Sequence, residues 1–331
     1  MSPVNPKKIS EKQVKIDGLK INYKIIGDGK TPIVLLHGWG VSGDKYLELA
    51  RWFYDPEIIK SLEDIKPANK TPQPPLSGGL IDLPPDKGGL GVVNSQFTII
   101  IPDLPGFGKS DEPKENWDLD DYVEFVDKFI VKTNRKGGFE LVKDLLKKID
   151  STKAAQIEEK IKPILIGHSF GGRIAIKYAA KYPEKIDKLI LTGAAGIKHK
   201  LTAKQKALFI LVKTGKAIFS LPIINKFQKP VYNIFSKIAR SRKKDYYNAS
   251  PRMKEIMKNI LAEDLTDYLD KIKNPTLLVW GRKDKTTPLA DGGIMKSRIK
   301  NCELRIVNNA NHSLPYQKAE EFGEIVGEFI K

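Results

Sequence analysis

The 331-residue sequence has a single cysteine, Cys302, and no apolar run long enough to cross a bilayer. One cysteine excludes an intrachain disulfide. The longest apolar runs, such as residues 207–212, are far shorter than the roughly 20 residues that a transmembrane helix needs. Residues 1–13 are polar and contain no apolar segment of the kind found in secretory signals. These absences predict a cytoplasmic protein.

The chain is also short of negative charge, because 57 Lys and Arg stand against 40 Asp and Glu and give a formal net charge of +17. Residues 198–264 hold 16 basic and 4 acidic residues, which contribute +12 of this total. No helix-turn-helix, zinc-finger or RNP-like pattern accompanies the charge, so no nucleic-acid partner is expected. We interpret these lysines as a solvated face. The alternative is a weak contact with an anionic membrane surface.

The composition, with 40% hydrophobic and 29% charged residues, is typical of a soluble globular protein. Residues 13–17 and 19–26 are predicted to form two antiparallel strands joined at Asp17-Gly18. Further strands are predicted at 33–36, 97–101, 163–166, 188–191, 276–280 and 304–307, and helices at 46–54, 120–131, 139–149, 173–180 and 319–330. This alternation predicts an α/β fold with a mostly parallel sheet.

Two segments interrupt the alternation. Residues 55–95 contain seven prolines and five glycines with little periodicity, which predicts an irregular surface insertion. Residues 197–265 have a helical pattern without a clear strand and include an apolar stretch at 207–227. We therefore divide the chain into the first part of an α/β core (1–196), a helical cap (197–265) and the second part of the core (266–331).

Residues 167–172, with the sequence GHSFGG, follow the apolar run 163–166 and precede a segment of helical spacing. The strand is therefore predicted to turn directly into a helix, with Ser169 at the turn. A reactive serine in such a sharp turn needs small neighbours, and Gly167 and Gly171 lie two positions on either side of it. The helix N-terminus adds free N–H groups where negative charge develops. This context predicts a nucleophilic serine.

A serine nucleophile needs a base, and the base needs a carboxylate that fixes its tautomer. Of the four histidines, His312 is the predicted base, because it follows the last strand at the sheet edge where strand ends gather functional groups. His37 is interpreted as a brace for a glycine-rich loop, and His168 as pointing away from Ser169. His199 has no partner signature.

The predicted acid is Asp284, which follows the strand at 276–280 and precedes His312 by 28 residues. The alternative for Asp284 is a residue of an Asx-type turn. Asp103 also follows a strand, but it leads into a Pro-Gly turn and is interpreted as a loop organiser. Nucleophile, acid and base therefore occur in the order serine, aspartate, histidine along the chain.

With these motifs the chain resembles capped members of the α/β-hydrolase fold family. The resemblance rests on five segments in the family's order: HGWG at 37–40, DLPGFGKS at 103–110, GHSFGG at 167–172, GRKD at 281–284 and Asn-His at 311–312. It implies a mostly parallel eight-stranded sheet flanked by helices, with a helical cap inserted at 197–265. It also implies Ser169 as nucleophile, Asp284 as acid and His312 as base. The backbone N–H groups of Trp39 and Phe170 would form the oxyanion hole.

Some features of the sequence differ from relatives of the same fold. Haloalkane dehalogenases and epoxide hydrolases use a carboxylate at the position of Ser169, so the serine argues against both activities. Proline iminopeptidases usually have Gly-Gly-Pro-Gly after the loop histidine, where this chain has Gly-Trp-Gly at 38–40.

The resemblance implies a serine hydrolase that cleaves an ester or thioester of a small or medium apolar acyl group, without a metal or cofactor. Two alternatives stay open. One is a carbon–carbon bond hydrolase of diketone-type substrates, and the other is a ligand receptor that keeps the fold and uses cap movement as a signal. The expected partner is a small-molecule acyl substrate, and the sequence does not indicate an oligomeric state.

Overall fold

The computed structural model describes residues 9–27, 29–53, 81–82, 97–136, 162–198 and 249–331. The strands of these residues are β1 (Ile9–Ile16), β2 (Leu19–Ile26), β3 (Thr31–Leu36), β4 (Ile81–Asp82), β5 (Phe97–Pro102), β6 (Ile164–His168), β7 (Leu189–Thr192), β8 (Thr276–Gly281) and β9 (Cys302–Val307). They form one sheet in the order β1-β2-β5-β3-β6-β7-β8-β9-β4. The pairs β1–β2 and β2–β5 are antiparallel, and the pairs from β5 to β4 are parallel.

Helices occupy the connections between these strands. Within the described ranges they are α1 (Leu47–Trp52), α2 (Leu119–Lys136), α3 (Phe170–Lys181), α4 (Pro251–Ala262), α5 (Thr266–Leu269), α6 (Leu289–Arg298), α7 (Leu314–Gln317) and α8 (Ala319–Ile330). A 3₁₀ turn, Gly43–Tyr46, leads into α1. The last helix has the bounds that its apolar periodicity predicts.

Alternate residues of the central strands enter two different cores. Val34 and Leu36 of β3 pack into the core that includes residues of α2 and α3, whereas Ile33 and Leu35 pack into the core that includes residues of α1 and α8. The strands β5 to β8 are buried along their whole length, as expected of strands covered on both faces. Because both faces are covered, the carboxyl ends of the parallel strands are the edge at which a site can form.

The predicted hairpin near the N-terminus is confirmed and is longer than expected. Its ladder runs from Ile9–Ile26 to Ile16–Leu19, so β1 begins four residues before the predicted position 13. Asp17 and Gly18 both have positive φ, 47° and 82°, as a two-residue hairpin turn that matches strand twist requires.

The eight predicted strands are all present, and β4 is an additional one. It comes from the segment 55–95 that was predicted to be irregular, and it pairs with Arg305 and Ile306 at the far edge of the sheet. The rest of residues 55–95 lies outside the described residues. No bounds were predicted for helix α6, in which Gly292 and Gly293 lower the intrinsic helix propensity.

The predicted cap, 197–265, is described only at its two ends, 197–198 and 249–265. Its described helix, α4, begins with a capped turn in which Ser250 Oγ accepts the Met253 N–H at 3.1 Å. Arg252 donates to the Pro113 carbonyl at 3.3 Å and connects α4 to the loop after β5. The predicted apolar stretch 207–227 and the predicted helix 139–149 lie outside the described residues. In the described part of the chain, no helix combines the length and apolarity needed to cross a membrane.

Candidate active site

Ser169 lies in a strained turn between β6 and α3. It has φ 53° and ψ −109°, a backbone conformation that non-glycine residues seldom adopt. The turn is also crowded, because a Cβ on Gly171 would lie 2.1 Å from the Leu36 carbonyl oxygen, and one on Gly167 would lie 2.7 Å from the Gly171 carbonyl oxygen. The two glycines therefore allow the contact between β3, β6 and α3 that projects the serine from the sheet.

We expect Gly171→Ala to destabilise the protein by about 3 kcal/mol, because the new methyl group would overlap main-chain atoms that have no alternative rotamer. The urea midpoint of unfolding measures this effect. Gly293→Ala is a matched control, because it also changes a helical glycine and its Cβ has no atom within 4 Å. The control is expected to be neutral or stabilising by about 0.5–1 kcal/mol. Equal midpoints for the two variants would contradict the account of the turn.

His312 and Asp284 approach Ser169 from the loops that follow β9 and β8. The distance from His312 Nε2 to Ser169 Oγ is 2.9 Å, and that from His312 Nδ1 to Asp284 Oδ2 is 2.8 Å. The Asp284 side chain is only 1% exposed, whereas the His312 side chain is 20% exposed. The structure therefore brings the three predicted residues together in one hydrogen-bonded series. The aspartate end of the series is buried, and the histidine is partly exposed to solvent.

The Asp284 carboxylate is held by a short turn as well as by His312. The backbone N–H groups of Thr286 and Thr287 donate to Oδ1 at 2.8 and 3.0 Å, and the Thr287 hydroxyl lies 2.9 Å from Oδ2. Burial raises the pKa of Asp284, but the hydrogen bond and charge of His312 together with the two N–H groups outweigh this effect and lower the pKa. The carboxyl group is thus ionised at neutral pH and accepts the His312 Nδ1–H. The Asx-type turn considered as the alternative for Asp284 is present in addition to the histidine contact.

The loop at 37–40 lies directly beside the serine, since a Cβ on Gly38 would lie 3.3 Å from Ser169 Cβ. His37 is buried under this loop, and its Nε2 accepts the Leu104 N–H at 2.9 Å, so the proton is on Nδ1. That Nδ1–H donates to the Gly38 carbonyl at 2.7 Å. In a trans peptide the next N–H points opposite to the carbonyl, so His37 directs the Trp39 N–H away from itself.

Burial lowers the pKa of His37 to about 4, so its tautomer persists at neutral pH. The prediction that His37 braces the loop agrees with these contacts. The second predicted oxyanion donor is the N–H of Phe170. It is the first residue of α3, where an N–H has no partner inside the helix.

Asp103, the other aspartate considered from the sequence, holds the loop in which it lies. The Asp103 carboxylate is buried and accepts from the Gly43 N–H at 2.8 Å, from Asn22 Nδ2 at 2.9 Å and from the Lys109 N–H at 3.0 Å, which agrees with a loop organiser.

His168 forms its hydrogen bonds with groups other than the Ser169 hydroxyl. His199 lies outside the described residues. Among the residues that the structure describes, no group of three or more His, Cys, Asp or Glu is arranged to hold a metal ion.

Aromatic side chains cluster around Phe170, the residue that follows Ser169. The Trp39 ring is half-buried and lies 4.9 Å from the Phe107 ring and 5.3 Å from the Phe170 ring, both in edge-to-face contact. The Tyr122 ring also packs against Phe170, with 5.0 Å between the ring centroids. These contacts place an apolar surface next to the two N–H groups, so the surroundings of the serine suit an apolar group better than a charged one. The sequence did not indicate that Phe107 and Tyr122 contact Phe170, because Phe107 lies in the 103–110 segment without an assigned role and Tyr122 belongs to no motif.

Comparison with known proteins gives matches that cover most of the chain. A family model described as alpha/beta hydrolase fold matches residues 31–319. A 2-hydroxy-6-oxo-6-phenylhexa-2,4-dienoate hydrolase of Comamonas testosteroni is 27% identical over 253 residues, which are 72% of this chain and 79% of that protein. A proline iminopeptidase of Saccharolobus solfataricus is 26% identical over 262 residues, 72% of this chain and 77% of that protein.

Among solved structures, a bacterial membrane phospholipase A superposes with a TM-score of 0.59 and 22% identity, covering 98% of this chain and 86% of that one. These three relatives are named for different substrates: a phenylhexadienoate, a peptide and a phospholipid. Similarity of this degree therefore leaves the substrate to be argued from the site.

Proposed function

This chain belongs to the α/β-hydrolase fold family, and we propose that it is a serine hydrolase that cleaves an ester or thioester of an apolar acyl group. The observation that carries the proposal is the unbroken series Asp284–His312–Ser169, with distances of 2.8 and 2.9 Å. A histidine that is hydrogen-bonded to a hydroxyl on one side and to a carboxylate on the other fits a general base. The strained backbone of Ser169 supports the same role, because such strain is retained where it aims a reactive group.

In the proposed reaction Ser169 Oγ attacks the substrate carbonyl carbon while His312 Nε2 takes the hydroxyl proton. The carbonyl oxygen becomes an oxyanion that accepts hydrogen bonds from the N–H groups of Trp39 and Phe170. Removing one such donor typically costs about 10²- to 10³-fold in rate. His312 then protonates the leaving oxygen or sulfur, and the carbon–heteroatom bond breaks to leave an acyl-enzyme.

Water completes the cycle. His312 Nε2 takes a proton from water as its oxygen attacks the acyl carbon, and the same proton returns to Ser169 Oγ when the acid leaves. Asp284 stays ionised throughout and stabilises the imidazolium that forms in each half of the reaction. The apolar rings of Trp39 and Phe107 beside the oxyanion position favour an apolar acyl group over a charged one.

A second candidate is hydrolysis of a carbon–carbon bond next to a ketone. The similarity to the hydrolase of Comamonas testosteroni favours it, because that match covers 72% of this chain and 79% of the relative. The same series of residues serves both reactions, since each begins with activation of a carbonyl group and ends with release of an acid. The receptor alternative differs from both because it predicts binding without turnover.

A substrate panel separates these candidates. The purified full-length protein is assayed with p-nitrophenyl esters from acetate to octanoate, with butyryl thioesters, and with 2-hydroxy-6-oxo-6-phenylhexa-2,4-dienoate. We expect the largest kcat/KM for an ester or thioester with an acyl chain of roughly four to eight carbons, because the rings of Trp39 and Phe107 favour an apolar acyl group. A larger kcat/KM for the dienoate would transfer the proposal to carbon–carbon hydrolysis. Stoichiometric acylation without further turnover would support the receptor instead.

A further inference from the structure

Two buried polar side chains, Tyr46 and His168, connect the loop at 37–40 to the backbone of His312. The Gly38 N–H donates to the Tyr46 hydroxyl at 3.3 Å, and the Tyr46 hydroxyl lies 2.6 Å from His168 Nδ1. On the other side of the same imidazole, His168 Nε2 lies 2.8 Å from the His312 carbonyl oxygen. The series spans residues that are far apart in sequence and ends at main-chain atoms on both sides.

The direction of every bond in this series is fixed by its ends. The His312 carbonyl oxygen can only accept, so His168 Nε2 carries the proton and donates it. His168 Nδ1 then has no proton and accepts the Tyr46 O–H. The Tyr46 oxygen in turn accepts the Gly38 N–H. Each group therefore has one role, and no member can reverse without breaking two bonds.

The surroundings keep the side chains of this series uncharged and packed against a neighbouring ring. Burial and the neighbouring His312 lower the pKa of His168 to about 3, and burial raises the pKa of Tyr46, so neither group changes charge at neutral pH. The Tyr316 ring packs against both, at 5.6 Å from Tyr46 and 5.9 Å from His168. A hydroxyl and an imidazole buried in this way are costly unless they are hydrogen-bonded, so their polar character needs a use that two apolar side chains would not serve.

We propose that Tyr46 and His168 are positioning residues that hold the main chain of the base, His312, at a fixed separation from the main chain of the oxyanion loop at Gly38. The hydrogen bonds of both residues go to groups other than Ser169 Oγ and the His312 ring nitrogens, and the His168 ring also packs against the His312 ring at 4.9 Å. Acyl transfer requires the base and the oxyanion donors to meet one carbonyl group at the same time, and reactive groups must be held within about 0.5 Å of that geometry. The inference rests on the proposed serine-hydrolase function.

Three variants test the proposal, with p-nitrophenyl butyrate as substrate. His168→Leu removes the donor to His312 and is expected to lower kcat about 10- to 100-fold, the usual range for hydrogen bonds that orient reactive groups. His168→Gln can still present an N–H to the carbonyl and is expected to recover part of this loss. Tyr46→Phe removes a single oxygen atom and is expected to lower kcat several-fold. KM should change little in each case, because ground-state contacts with the acyl group are intact.

Tyr178→Phe is the matched control, since Tyr178 is another buried tyrosine whose hydroxyl donates to Asp127 at 3.0 Å, on the far part of α3. We expect it to lose about as much thermal stability as Tyr46→Phe and to keep wild-type kcat. A second readout is inhibition by n-butaneboronic acid, which forms a tetrahedral adduct with the serine. Its affinity should fall by the same factor as kcat/KM in the His168 and Tyr46 variants.

The proposal is overturned if Tyr46→Phe and His168→Gln keep wild-type kcat and boronate affinity, or if their losses match that of Tyr178→Phe. If His168→Leu fails to fold, Tyr46→Phe decides alone. Failure of the underlying function is seen separately in the wild-type protein. A fluorophosphonate that does not label Ser169 refutes the serine-hydrolase proposal, whereas a labelled wild type with unaffected variants refutes only the positioning role.

Discussion

Ser169→Ala is expected to abolish labelling by a fluorophosphonate and to lower ester turnover by about 10³- to 10⁶-fold. The loss is large because the serine supplies the atom that forms the acyl-enzyme, and no other hydroxyl lies within hydrogen-bonding distance of His312 Nε2 among the described residues. Intact mass and peptide mapping measure the labelling, and p-nitrophenyl ester hydrolysis measures the turnover.

The matched control is Ser297→Ala, which removes an exposed hydroxyl that donates to the Ile294 carbonyl near the end of α6. It should label and turn over like the wild type. Two results would contradict the assignment of the nucleophile. One is labelling of the Ser169→Ala variant at another residue. The other is turnover within tenfold of the wild type, which corresponds to a barrier increase below about 1.4 kcal/mol.

Asp284→Asn is expected to lower turnover by about 10⁴-fold while leaving the fold intact. The turn around Asp284 determines how the amide would sit. The N–H groups of Thr286 and Thr287 point at Oδ1, so the amide oxygen takes that place and the NH₂ group faces His312. His312 Nδ1 must then accept, its proton moves to Nε2, and Nε2 can no longer remove the proton from Ser169.

Asp270→Asn serves as the control for loss of a carboxylate, because Asp270 forms an exposed ion pair with Arg298 away from the serine. This variant should keep wild-type turnover. If the Asp284→Asn variant has a kcat close to that of the control, the carboxylate does not set the tautomer of His312. Thermal unfolding of both variants would establish that the proteins compared are folded.

Much of the candidate site was accessible from the sequence, because its residues follow strands. Parallel strands end at one edge, so the groups after β6, β8 and β9 must meet there, and Ser169, Asp284 and His312 do so. The role of Asp103 in its loop followed from the Pro-Gly turn after it. The catalytic roles themselves remain proposals that the variants above test.

Other contacts had no signal in the sequence. Tyr46 lies in no motif, and it reaches His168, 122 positions away, only through the folded position of the 3₁₀ turn Gly43–Tyr46. Thr287 lies three positions after Asp284 in the same turn, but nothing in the sequence shows that its hydroxyl faces the carboxylate. The tautomers of His37 and His168 follow from partners that can only donate, the Leu104 N–H, or only accept, the His312 carbonyl. The sequence does not show which groups these partners are. The bounds of helix α6 had no signal for a similar reason. Gly292 lowers helix propensity, but its place is set by packing, since a Cβ there would lie 3.1 Å from the Trp280 ring.

In the sheet β3 lies between β5 and β6, although residues 37–96 separate it along the chain from the first and residues 37–163 from the second. The entropy lost on closing a flexible loop grows only with the logarithm of its length, by about 0.6 kcal/mol for each doubling. Lengthening the chain between Ile33 and Ile164, which pair across β3 and β6, therefore costs little at equilibrium. Both connections can therefore vary in length at little cost to the pairing that holds β6, and with it Ser169, in the sheet.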